Sequence, residues 1–313
     1  MDVILVFPGQ GSQKPGMARD LADAFAQAKG VLDEVDETLG RSFTRVMFEG
    51  PADELTATHN AQPALLAHGA AVWAVVRDAL AAHVRAAAGH SLGEYTAFHA
   101  AGSVGLADAI RLVRRRGELM HDAGTETPGT MAAILGTLSR PLEVICEQAS
   151  SEAGTVVAAN YNSDEQVVVS GEIVAVERAM ELAKEAGAKR AIRLPVAGAF
   201  HSPLMGPAAA GLAEAIGRAP FADPVFPVYS NVSTEPVATA AVARDLLTRQ
   251  LTAPVRWAQL VRAIDARFPG ALWVELGPGA VLSGLVARLV RGARTLACGT
   301  PSDVEKLHSM LSA

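Results

Sequence analysis

The stretch Ala86-Ala87-Ala88-Gly89-His90-Ser91-Leu92-Gly93-Glu94-Tyr95 decides how this chain is read. Small apolar residues over 84–88 suit a buried strand, and 92–101 suits a helix stopped by Gly102. Gly-His-Ser-Leu-Gly therefore falls at a strand-to-helix turn. A serine on such a bend is lifted clear of the sheet, its flanking glycines let backbones pass close, and the Leu92 amide sits at a helix N-terminus. An oxyanion forming beside Ser91 would meet that N–H and the positive end of the helix dipole. The same residues fit equally a Gly-rich turn in which Ser91 only caps the helix. The stretch alone leaves both readings open.

The rest of the 313-residue chain is half hydrophobic, enough for a substantial core, but only 5% aromatic. Ala, Val and Leu must fill that core, which favours helices packed closely on a sheet. A formal net charge of −6 gives no support to nucleic-acid binding, so any anionic partner must be met locally. Cys146 and Cys298 form no CxxC or Cys/His ligand cluster and read as buried, reduced thiols. The apolar start over 3–7 is too short, and begins too acidic, for a signal peptide, and no stretch is long enough to span a bilayer. A cytoplasmic protein with no membrane partner is expected.

Taken in order, 3–7 is a buried strand running into Pro8-Gly9-Gln10-Gly11-Ser12-Gln13, a turn able to point successive N–H groups at an anion. It lacks the spacing and the Gly-Lys-Ser/Thr of a phosphate-binding loop. Helices are predicted over 20–39, 62–80 and 106–121. In the last of these Arg116 shares an apolar stripe with Ala109, Val113 and Met120, while Arg114 and Arg115 point elsewhere, to a solvated face. A guanidinium on such a seam needs an anion, supplied by an internal salt bridge or by a substrate.

From residue 130 the pattern changes to strand 131–135, helix 139–148 with Ser139 as N-cap, strands 156–159 and 166–170, helix 172–186 and strand 190–194. This β-α-β-β-α-β order is the ferredoxin-like pattern. It predicts a small domain, 129–196, inserted in a larger α/β domain made of 1–128 and 197–313. The polar loop Asn160-Tyr161-Asn162-Ser163 then faces the cleft between them, or merely forms a hairpin turn. Beyond the insertion, His201 precedes a helix over 203–219, in a connection from which an imidazole can reach across a cleft. A strand over 225–229, helices over 240–251 and 255–267, strand 272–276, a helix to 290, strand 295–297 and a last helix complete a mostly parallel sheet covered on both faces.

With Pro-Gly-Gln-Gly-Ser-Gln at 8–13, Gly-His-Ser-Leu-Gly-Glu at 89–94, Gly-Ala-Phe-His-Ser-Pro at 198–203 and Glu-Leu-Gly-Pro-Gly at 275–279, the chain resembles the malonyl-CoA:acyl carrier protein transacylases from Val6 to about Val286. The resemblance implies a hydrolase-like core with an inserted ferredoxin-like subdomain. It makes Ser91 the nucleophile, His201 its base, and the Gln10 and Leu92 amides the oxyanion hole. Arg116 matches the arginine that pairs with the malonyl carboxylate, and Gln250 the residue whose main-chain carbonyl orients the histidine. Phe200, where methylmalonyl-selective relatives carry Ser, leaves less room for an α-methyl group, and Asn160 and Asn162 join the substrate site. Ala197 stands where many relatives carry Ser, and Phe98-His99 replaces a more aliphatic pair.

The substrates implied are malonyl-CoA and phosphopantetheinylated acyl carrier protein, with no cofactor or metal, and the enzyme is expected to be a monomer. Lys189, Arg190, Arg288 and Arg291 are candidate contacts for an acidic carrier. Fatty-acid synthesis is the expected pathway. The rival readings are service to a polyketide synthase, a serine thioesterase or acyl hydrolase, and an inactive carrier-binding scaffold.

Overall fold

Val3–Phe7 is apolar at every position and buried at every position, which only a strand covered on both faces can satisfy. In the computed structural model, which describes residues 1–196 and 198–312, this strand lies inside the larger of two sheets. In chain order the strands are β1 (Val3–Phe7), β2 (Val84–Gly89), β3 (Gly129–Leu135), β4 (Val156–Ser163), β5 (Gln166–Glu172), β6 (Arg190–Arg193), β7 (Val228–Tyr229), β8 (Pro236–Val237), β9 (Leu272–Leu276) and β10 (Arg294–Cys298). The larger sheet has the order β10-β9-β1-β2-β7-β8 and is parallel except for its β7–β8 edge. Its two faces are packed by separate apolar clusters, one around Leu5, Phe7 and the helix Thr58–Leu80, the other around Ile4, Val6 and the helix Trp257–Arg267. Within the Glu-Leu-Gly-Pro-Gly motif, buried Glu275 accepts the Leu282 and Ser283 N–H groups, anchoring the helix Val281–Leu289 at its start.

The smaller sheet runs β4-β5-β3-β6, antiparallel throughout, with the helices Leu142–Ala153 and Ile173–Glu185 over one face. That is the strand order of the ferredoxin-like pattern. The two sheets meet where β4 runs beside residue 255: the Val255 N–H donates to Ala159 O and the Tyr161 N–H to Val255 O.

Several expected elements differ in detail. The helix predicted over 20–39 is two, Arg19–Ala24 and Ala26–Leu39, because Phe25 turns extended and packs its ring on the core. Short helices at Phe43–Glu49 and Ala52–Thr56 precede the long helix, which begins at Thr58. Ser139 caps nothing: Pro141 keeps the residue before it out of helical geometry, and the helix opens at Leu142. Asn160–Ser163 is not a turn but the end of β4; Asp164 and Glu165 make the turn. The segment 203–219 begins as a 3₁₀ turn, Pro203–Met205, and becomes α-helical at Gly206. The strand expected over 225–229 pairs only at Val228 and Tyr229, since Pro224 and Pro227 have no N–H to give a ladder. Ala197 lies outside the described residues.

The elbow is the tightest place in the larger sheet. A Cβ on Gly89 would collide with the backbone of Gly93, and one on Gly93 with the carbonyl of Phe7 at the end of β1. Relief would require separating the helix Leu92–Ala100 from the sheet. Gly93→Ala is therefore expected to cost about 3 kcal/mol or more of unfolding free energy in a urea titration. A stability equal to that of the parent would show that the helix does not need this approach.

Candidate active site

Ser91 occupies the bend between β2 and the helix Leu92–Ala100, at φ 51° and ψ −108°, a conformation that costs a side-chain-bearing residue on the order of 1–3 kcal/mol. Asn231 holds it there. The Ser91 N–H donates to Asn231 Oδ1 at 2.7 Å, and the Asn231 side-chain amide donates to the Gly89 carbonyl at 2.7 Å. The hydroxyl makes no capping bond to the helix. Instead Oγ lies 2.7 Å from His201 Nε2, across 110 residues of sequence. The plain helix-cap reading of the motif is thereby removed.

The direction of the proton follows from the neighbours. Arg116 Nη2 donates to Ser91 Oγ at 3.0 Å, and a guanidinium can only donate. The serine's own proton therefore points to His201 Nε2, which must be the bare nitrogen of the ring. On the other side, His201 Nδ1 faces the carbonyls of Gln250 at 3.0 Å and Ala253 at 3.1 Å. Carbonyls can only accept, so Nδ1 carries the hydrogen. Burial, and then the Arg116 charge, push the His201 pKa down to about 3, which keeps the ring neutral and able to accept a proton.

Arg116 is buried on the helix Leu106–Glu126, beside Ala109, Val113 and Met120 as the periodicity required. The internal salt bridge weighed against a substrate contact is absent: among the described residues no carboxylate pairs with it within 4.0 Å. Its partners are neutral. Nη1 donates to Gln62 Oε1 at 2.8 Å and Nη2 to Gln250 Oε1 at 3.1 Å, and the guanidinium lies over the Tyr95 ring. Its Nε has no partner at all. Arg114 differs from the solvated face expected for it, being half-buried and bonded to Glu118, Asn60 and the His59 carbonyl, whereas Arg115 is exposed.

Ser91, His201 and Arg116 open onto a cavity of about 490 Å³ that is also lined by Gln10, Leu92, Phe200, Asn160 and Asn162. Leu92 is the first residue of its helix, so its N–H has no intrahelical acceptor. Met120, Met131, Val168 and Leu194 supply apolar wall. Asn162 Oδ1 meets His90 Nε2 at 2.8 Å, tying the smaller sheet to the elbow. Gln250 is fully buried behind the wall. A second cavity of about 560 Å³ shares Gln166 with the first and is lined by Lys189, Arg190 and Arg288; Arg291 is exposed and outside it.

Sequence reading passed over three residues here. Gln62 and Asn231 carried no motif, and Glu94 was read only as part of one. Glu94 is buried, with Oε2 accepting from Gln250 Nε2 at 2.7 Å and from the Asn231 N–H at 3.2 Å, and burial pushes its pKa up to about 7. The cysteines are buried and free, their thiols pushed up to about 12 by burial. Among the described residues no group of three or more His, Cys, Asp or Glu side chains is placed to hold a metal ion, and no helix is long and apolar enough to cross a membrane.

A strained serine at a strand-to-helix bend, a neutral histidine on its hydroxyl and a buried guanidinium beside it form an arrangement chemically able to activate a serine hydroxyl on an α/β fold. The chain belongs to the acyl transferase domain family, whose model matches residues 4–302, and is an acyltransferase. It is 43% identical over 303 residues to the malonyl CoA-acyl carrier protein transacylase of Bacillus subtilis (strain 168), covering 97% of this chain and 95% of that one. The Escherichia coli (strain K12) protein of the same name is 41% identical over 297 residues, covering 95% and 96%. Among solved structures, the acyl-carrier-protein-S-malonyltransferase of Bartonella henselae superposes with a TM-score of 0.95 at 41% identity over the whole of both chains. A malonyl-transacylase solved in complex with its type II PKS acyl-carrier protein superposes with a TM-score of 0.95 at 39% identity, covering 99% of this chain and 100% of that one.

The buried histidines set a pH dependence of stability. His201 and His68 are pushed down to about 3 and about 4, and His90 and His99 are lowered, burial being the largest cause in each. Below about pH 6.5 the unfolded chain binds protons at these positions that the native chain refuses, so stability falls as pH falls, by up to about 1.4 kcal/mol per pH unit for each. Glu94 acts oppositely between about pH 7 and 4.5, since the native state holds the extra proton there. Four groups outweigh one. The unfolding free energy is expected to be lower at pH 5 than at pH 7 by about 1.5 kcal/mol or more in urea titrations; equal values would mean these rings charge freely in the native state.

Proposed function

We propose that this acyltransferase moves the malonyl group from malonyl-CoA to the phosphopantetheine thiol of an acyl carrier protein, by way of a malonyl ester on Ser91. The observation that carries the reading is the double engagement of one oxygen: Ser91 Oγ is within hydrogen-bond range of His201 Nε2 and of Arg116 Nη2. One neighbour removes the proton and the other marks where a carboxylated acyl chain must lie.

In the first half-reaction Oγ attacks the thioester carbonyl as its proton passes to His201 Nε2, with the developing oxyanion received by the Gln10 and Leu92 amides. The carbon–sulfur bond breaks, coenzyme A leaves as a thiol carrying that proton, and malonyl remains esterified to Ser91. In the second, the carrier thiol gives its proton to His201, its sulfur attacks the ester carbonyl, and Ser91 leaves and is reprotonated. Thiols have a pKa near 8.5 and leave readily as thiolates, so a Ser–His pair with carbonyls behind the ring is chemically sufficient. The 3-carboxylate takes a bidentate pair with Arg116, the apolar wall and the Phe200 ring leave little room for an α-methyl group, and Asn160 and Asn162 complete the pocket.

The reading divides the chain into a large domain, 1–128 with 197–313, and an inserted subdomain, 129–196, with the cavity between them. It needs no cofactor beyond the substrates and no second copy of the chain, and we assign the reaction to the cytoplasm and to the supply of extender units for fatty-acid synthesis. Service to a polyketide carrier is a second reading, favoured by the likeness to a transacylase solved with a type II PKS carrier; comparing kcat/KM for carriers of the two kinds decides between them.

Intact-mass analysis after exposure to malonyl-CoA should find a malonyl adduct on the native chain and none on Ser91→Ala, and initial rates should be ping-pong. Intersecting lines, or malonate released free rather than delivered to the carrier, would contradict the transfer. Arg116→Ala should lose roughly 30- to 1000-fold in kcat/KM for malonyl-CoA while acetyl transfer is spared or improved. Equal loss for both would make Arg116 a structural residue. Reversing two of the charges at Lys189, Arg190 and Arg288 should raise KM for the carrier and leave KM for malonyl-CoA alone; an unchanged carrier KM would dismiss that surface.

A further inference from the structure

Arg116 and Glu94 are a buried guanidinium and a buried carboxyl group that do not touch. The Gln250 side chain stands between them. Its Oε1 accepts from Arg116 Nη2 at 3.1 Å, while its Nε2 donates to Glu94 Oε2 at 2.7 Å and to the Ser91 carbonyl at 3.0 Å. A carboxamide can be turned either way round, but here only one way is open. The guanidinium has nothing but donors, the Ser91 carbonyl has nothing but acceptors, and the Glu94 carboxylate, once ionised, also only accepts.

We propose that Glu94 is the positioning residue for malonyl selectivity: held one amide away from Arg116, it locks the Gln250 carboxamide and so aims the guanidinium at the cavity. The inference rests on the malonyl-transfer reading above. A carboxylate in direct contact with Arg116 would occupy its fork and compete with the substrate's own carboxylate. An anion separated by one amide still favours the buried positive charge, yet leaves Nε unpartnered and Nη2 on a neutral hydroxyl. Those are the N–H groups an incoming carboxylate can take. Glu94 itself is fixed by the Asn231 N–H, and Asn231 also clasps Ser91, so the acyl-binding cation and the nucleophile are referenced to the same support.

Glu94→Gln keeps the shape but removes the buried negative charge beside Arg116 and replaces a charged acceptor for Gln250 Nε2 with a neutral one, loosening the relay. Gln250→Met removes the relay but keeps the main-chain carbonyl that holds His201. Single-turnover acylation of Ser91 by malonyl-CoA and by acetyl-CoA should be compared in the parent, both variants and the double variant. Labelling by a fluorophosphonate, which has no carboxylate to recognise, reports whether Ser91 and His201 are still assembled.

Each variant is expected to lower the malonyl-to-acetyl rate ratio about 10- to 100-fold, the range of hydrogen bonds to charged groups. The double variant should lose no more than Gln250→Met alone, since both act through one relay. An unchanged ratio, equal loss with both thioesters, or additive losses would overturn the proposal. Should Glu94→Gln fail to fold, Gln250→Met decides alone, and a ratio equal to the parent's overturns it. A parent that labels with the phosphonate yet takes up neither thioester would sink the malonyl reading itself, a result distinct from variants that merely match the parent.

Discussion

The arrangement around Ser91 depends on two carbonyl oxygens that face one imidazole nitrogen. The Gln250 and Ala253 carbonyls accept from His201 Nδ1, and only because they do is Nε2 bare and turned to Ser91. A carboxylate in their place would attract positive charge to the ring and raise its affinity for protons. Two neutral carbonyls fix the tautomer without doing so. That suits transfer between thiols, whose departure needs little acid, better than cleavage of an amide, whose departure needs much.

The serine is held by an independent set of constraints. Gly89 and Gly93 let the helix Leu92–Ala100 sit directly on the ends of β1 and β2, and Asn231 holds the strained residue from the far side. His201 also has a positive φ, 57°. Ser91 and His201 are thus both in backbone conformations that side chains disfavour, and each is kept there by hydrogen bonds from distant segments. The rigidity of the site is tertiary in origin.

That origin explains what the sequence disclosed. Ser91 was legible because a local motif sits at a local change of period, and Arg116 because helical spacing alone puts it on the buried stripe. The β-α-β-β-α-β order of the smaller sheet was legible for the same reason. His201 had no local signature beyond its position before a helix, and it needed the combined motifs of the resemblance. Glu94, Asn231 and Gln62 were invisible as partners, since each acts across 54 to 156 residues and a buried polar pair leaves no periodic trace. Asn160 and Asn162 read as loop residues, facing a cleft or forming a hairpin turn, because Asn favours turns; both line the cavity, but on a strand that the pairing of Asn160 with β5 and with residue 255 prolongs.

The seam between the two sheets has a mechanical consequence. The Val255 N–H and carbonyl are bonded to Ala159 and Tyr161 on β4, two residues along the chain from the Ala253 carbonyl that holds the imidazole. Swinging the smaller sheet outward on a hinge would drag that carbonyl with it and loosen the ring. The seam between the sheets and the support of the His201 ring thus share one short segment, 253–255. Movement of the smaller sheet is thereby tied mechanically to the seating of the imidazole beside Ser91.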